Sequence, residues 1–137
     1  MTKDTPIESF MTVLPHTVGA DQTIAYAQAL MQELRVRHLP VLRGKALEGI
    51  VSERDLALAA GFDGVDASRA KVEEAMMPVP YTVSRKAPLG RVVREMADRK
   101  IGSALVLSGQ EVVGIFTVAD AMSLFARALE EAGEGPQ

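Results

Sequence analysis

The chain repeats itself without a gap at a spacing of 65 residues, the distance from Pro15 to Pro80. Superposing 7–60 on 72–125 gives twelve identities: Glu8/Glu73, Met11/Met76, Pro15/Pro80, Thr17/Thr82, Val18/Val83, Met31/Met96, Val41/Val106, Leu42/Leu107, Gly44/Gly109, Gly49/Gly114, Ile50/Ile115 and Asp55/Asp120. Chance would match about one position in sixteen. Other pairs keep their chemistry, such as Ile24/Leu89, Val36/Ile101, Leu47/Val112 and Ser52/Thr117. Two copies of one unit can pack about a pseudo-twofold axis, and the crevice between them is a natural ligand site.

The 137 residues fit one compact domain or two closely packed halves. Without cysteine there are no disulfides, thiolate metal sites or cysteine nucleophiles. His16 and His38 are the only histidines and have no metal-ligand spacing. There is no glycine-rich phosphate loop and no Ser/His/Asp set, so an enzyme is the weakest expectation. The net charge of −3 disfavours nucleic acid as a partner. No apolar run is long enough to cross a bilayer, and Met1–Pro6 does not look like a signal peptide, so the expected location is cytoplasmic, away from any membrane.

Each repeat reads as strand, helix, strand, strand, helix. Pro15–Val18 is a short extended lead-in. Ile24, Ala27, Met31 and Leu34 share one face of a helix over about 23–36. Its counterpart begins at Pro88, suited to a first helical position, and carries Leu89, Val92, Val93 and Met96. Two hairpins follow, joining Leu39–Leu42 to Leu47–Val51 and Ala104–Leu107 to Val112–Phe116, with turns at Gly44 and Gly109. A last helix starts at Ser52 or Thr117. The expected division is a first repeat over 1–60, a linker over 61–71 containing Gly61 and Gly64, a second repeat over 72–132, and a disordered tail over 133–137. The final helix is the longer one, and Met122, Phe125 and Leu129 would share a face able to pack on another chain.

Where strand turns into helix, both repeats carry an apolar strand, a hydroxyl residue, two more residues and an aspartate: Gly49–Asp55 and Gly114–Asp120. One explanation is a capping box, Ser52 or Thr117 at the N-cap with the acid three residues on. The other is ligand binding: a helix N-terminus faces an anion, the hydroxyl helps hold phosphate, and the carboxylate accepts from the two hydroxyls of a ribose. Arg35, Arg37, His38, Arg43, Lys45 and Arg54 crowd the first repeat, suiting either a solvated helix end or an anion site. Glu33, four residues before Arg37, could claim that arginine as an ion pair.

These elements resemble a tandem pair of CBS domains, the nucleotide-sensing regulatory units named for cystathionine β-synthase. The resemblance rests on Met11-Thr12 and Met76-Met77-Pro78, Thr17-Val18 and Thr82-Val83, Val36–Val41, the paired Gly-apolar-apolar-Ser/Thr-x-x-Asp runs, and Arg54-Asp55-Leu56, and covers about 7–129. It implies an α/β fold of two βαββα repeats packed through their sheets with pseudo-twofold symmetry. Two clefts would accept adenosine-type ligands. Asp55 and Asp120 would hold ribose, with Ser52 and Thr117 near ribose or phosphate, and Arg37, His38 and Arg54 near phosphate. Adenine would lie against Pro80, Tyr81, Thr82 and Val83, or against the repeat-related Thr17 and Val18. Gly102-Ser103 and Ala119 replace the basic residues in the second repeat, so a phosphorylated ligand is expected in the cleft built on Asp55.

The expected function is a stand-alone regulatory module that requires no cofactor for catalysis. It would bind AMP, ADP, ATP or S-adenosylmethionine between the repeats and signal, as a homodimer in the family's manner, to an effector protein. The alternative is a protein–protein interaction module whose clefts are vestigial.

Overall fold

The computed structural model describes residues 1–13 and 15–133. The first repeat contributes β1 (Thr12–Val13), β2 (Val18–Gly19), α1 (Ile24–Leu34), β3 (His38–Arg43), β4 (Ala46–Ser52) and α2 (Glu53–Ala60). The second contributes β5 (Thr82–Ser84), α3 (Leu89–Arg99), β6 (Ser103–Ser108), β7 (Glu111–Thr117) and α4 (Val118–Gly133). This is the expected mixed α/β arrangement. Gly133 closes α4 instead of opening a tail, and 134–137 lie outside the described residues.

One sheet has the order β2-β3-β4 and the other β1-β7-β6-β5. Both hairpins carry a register shift at the same repeat position, Val41/Leu42 and Val106/Leu107. The sheets meet through Ile50, Leu105 and Ile115, with Leu47 and Val112 at the margin. Each sheet also covers its own helices. Ile24, Ala27 and Met31 are buried in α1, and Leu89, Val92 and Met96 in α3. Val93, expected on the apolar face, is exposed instead. Pro88 is the N-cap of α3 and not its first helical residue, whereas Thr23 caps α1 by accepting from the Tyr26 N–H at 3.1 Å.

The repeats exchange their leading segments. Strand β1 pairs antiparallel with β7, placing Thr12 opposite Ile115. In mirror fashion Met77 bridges Ile50. The 3-10 turn Ile7–Ser9 buries Ile7 in the core of the second repeat, and the turn Val72–Glu74 buries Val72 in the core of the first. The Ile7 N–H donates to the Ala87 carbonyl as the Val72 N–H donates to that of Gln22, both at 2.8 Å. Between the repeats the chain folds back over α1, where the carbonyls of Ala70 and Ala67 take the N–H groups of Ile24 and Ala25. These are donors a helix start leaves unpaired. Among the described residues no helix is long and apolar enough to cross a membrane.

Candidate functional site

The exchange of lead-ins puts a cavity of about 820 Å³ between the repeats. Its walls are Thr12–Val13 and Pro15–His16 of the first lead-in, Arg35–Leu39 at the start of β3, and Gly102, Ile115 and Thr117–Asp120 of the second repeat. That volume lies within the range of small-molecule sites. Arg35, Arg37, His16 and His38 face a single acid, Asp120, so the lining favours an anionic group.

Both Ser/Thr-x-x-Asp runs form the caps that their pattern suggested. Ser52 Oγ accepts from the Asp55 N–H, and Asp55 Oδ2 from the Ser52 N–H, both at 3.0 Å. Asp120 Oδ2 accepts from the Thr117 N–H at 2.8 Å and the Thr117 hydroxyl at 3.0 Å. The capping bonds occupy one carboxylate oxygen. Among the described residues Oδ1 of each aspartate has no hydrogen-bond partner. Capping and ribose binding are therefore compatible in one side chain.

Arg37 and His38, expected to serve the cleft on Asp55, do lie beside that cap, His38 opposite Ser52 and within reach of the Asp55 charge, and they border the other cleft as well. They line the cavity with Thr117 and Asp120. The reason is local: β3 starts beside the second repeat, and Gly102 leaves His38 room to lean across. A Cβ at 102 would stand 3.0 Å from His38 Nε2. The Gly102 that removed a cation from the second repeat thus admits an imidazole from the first. Burial holds the His38 imidazole below its ordinary pKa, opposed by the charge of Asp55 and reinforced by that of Arg37. Its ring makes no hydrogen bond among the described residues. Arg37 pairs not with Glu33 but with Glu53, at 3.9 Å with both side chains largely exposed. Such a pair is weak and leaves the guanidinium available.

The other expected residues are more scattered. Val18 and Val83 are buried in the two cores, so only their backbone could reach a ligand. Thr17, Thr82 and Arg54 are exposed, and Pro80 is half-buried. Tyr81 is half-buried, with the Arg99 guanidinium 5.1 Å from its ring centre. Thr12, Val13, His16, Arg35 and Gly102 line the cavity without having been singled out as ligand contacts. Two of them had a signal: His16 is the repeat partner of Tyr81, and Arg35 belongs to the basic cluster that suited an anion site.

The family model described as CBS domain matches twice, over 7–61 and 72–127. A CBS domain-containing protein of Bacillus subtilis, YhcV, is 28% identical over 114 residues, 83% of this chain and 81% of that protein. A putative acetoin utilization protein (AcuB) from Vibrio cholerae shares the fold with a TM-score of 0.81 and 32% identity, over 96% of this chain and 98% of its own. The CBS domain pair of protein MJ0100, solved with methylthioadenosine and S-adenosyl-L-methionine, gives a TM-score of 0.82 at 25% identity, over 90% of this chain and 98% of its own.

Proposed function

This chain belongs to the CBS domain family, and from that premise we propose that it is a regulatory module, not an enzyme, that binds an adenine nucleotide in the cavity on Asp120. One observation carries the reading. A guanidinium and an imidazole from the first repeat, Arg37 and His38, and a ribose-type acceptor from the second, Asp120, face one hollow of suitable size. Asp120 Oδ1 takes the ribose hydroxyls, and the phosphate lies toward Arg37 and His38. The adenine lies against Pro15, Val36 and Ile115. The adenosine-type ligands of the MJ0100 pair support the ligand class.

A ligand touching both repeats favours whichever packing of the two brings its contacts together. It shifts that equilibrium only by its difference in affinity for the two states. The occupancy signal passes to an effector protein in the cytoplasm through a homodimer built on the α4 face, where Met122, Phe125 and Leu129 are each more than half exposed. The test is calorimetric titration with AMP, ATP and S-adenosylmethionine of the wild type, Arg37→Ala, Asp55→Ala and Asp120→Ala. AMP binding weakened about ten-fold or more by Asp120→Ala and Arg37→Ala, and little by Asp55→Ala, is the expected pattern. Unchanged affinity in all three variants rejects it.

The exposed α4 face also favours a second reading, an interaction module with vestigial clefts. If no adenine ligand raises the melting temperature at millimolar concentration, that second reading stands.

A further inference from the structure

Helix α1 ends at Leu34, and the next residue, Arg35, lies in the left-handed region with φ 57° and ψ 42°. Lys100 does the same after α3, with φ 54° and ψ 45°. These two are the non-glycine residues with positive φ among those described. Glycine is the usual occupant of such a helix end, because a Cβ there is strained. In both repeats the chain places a long cation instead. The helix dipole favours a cation near the C-terminus. In α3 Arg99 supplies one in the last turn, whereas α1 has none there, so the dipole contributes to a cation at Arg35 and not at Lys100. Arg35 lines the Asp120 cavity alongside Arg37 and His38. Its guanidinium has no carboxylate partner among the described residues.

We propose that Arg35 gives this cavity its preference for a phosphorylated over an unphosphorylated adenosine, and that its left-handed backbone is retained, against stability, for that contact. The proposal rests on the cavity being the adenosine site. A guanidinium presents a planar fork of donors to phosphate oxygens, and such charge-assisted bonds are the stronger ones. The left-handed φ turns the chain sharply between α1 and β3, so that Arg35 and Arg37 border the same hollow.

The test compares wild type, Arg35→Gly and Lys100→Gly in melting temperature and in calorimetric affinity for adenosine and for AMP. Arg35→Gly is expected to melt a few degrees higher, to bind AMP roughly ten-fold more weakly, and to bind adenosine as the wild type does. Lys100→Gly is expected to melt higher with AMP affinity unchanged. A purely structural Arg35 would change adenosine and AMP binding together or neither, and either result overturns the proposal. So does an equal loss of AMP binding in Lys100→Gly, or a lower melting temperature in Arg35→Gly. If wild type binds neither adenosine nor AMP, the reading of the cavity itself fails and the proposal falls with it.

Discussion

Met11, in the segment leading into the first repeat, lies over Gly114 in a strand of the second: a Cβ at 114 would come within 2.8 Å of Met11 Cγ. The arrangement is reciprocated, with Met76 Sδ 3.0 Å from a Cβ built on Gly49 and the Met77 carbonyl closer still. Gly49→Ala would push against backbone, whereas Gly114→Ala meets a flexible side chain. Overpacking of this kind costs about 1–3 kcal/mol. Urea unfolding should show Gly49→Ala as the more damaging change, and Met11→Ala should partly rescue Gly114→Ala but not Gly49→Ala.

The exchange of leading segments makes a second expectation. Ile7 has no exposed surface and packs with Val83, Val92 and Phe116 of the second repeat. Ile7→Ala should cost about 2–5 kcal/mol. Amide hydrogen exchange should show the loss first in β6 and β7, although position 7 is distant from them in sequence. Loosening confined to the first repeat would contradict the exchange.

Asp55 and Asp120 cap their helices alike, so replacing either by alanine should cost a similar amount of stability, about 1 kcal/mol. Their effect on ligand should differ. Asp120→Ala is expected to lower AMP affinity by much more than its loss of stability explains, measured under conditions where both variants are folded. Asp55→Ala is expected to leave it near the wild-type value.

Burial depresses the His38 pKa below its ordinary value of 6.5. The unfolded chain therefore takes up this proton first as pH falls. The stability linked to His38 is fully present above the unfolded pKa and is lost as pH drops through it toward the folded value. Denaturant midpoints taken between about pH 7.5 and 5.5 should decline more steeply for the wild type than for His38→Asn. Parallel curves would show that the histidine is not held neutral by its surroundings.

The repeat, the helices and the hairpins were legible because each leaves a periodic or turn signal: Ile24, Ala27 and Met31 at helical spacing, and Gly44 and Gly109 in turns with φ 62° and 63°. The exchange was not. Ile7 and Val72 sit in single 3-10 turns, too short to carry a period, and their partners lie across the molecule. For the same reason local pattern could not say that Arg37 and His38 also border the cleft on Asp120. That depends on the space left by Gly102, a residue 64 positions beyond His38. Val93 fits the apolar face of α3 by spacing, yet it is exposed while Leu89, Val92 and Met96 are buried.

The most direct test is an NMR titration of the labelled protein with AMP, following backbone amides. Saturable shifts concentrated at His16, Arg37, His38, Gly102 and Thr117–Asp120 are the expected result. Shifts confined to Ser52–Asp55 and Tyr81–Val83, or none at millimolar AMP, would contradict it.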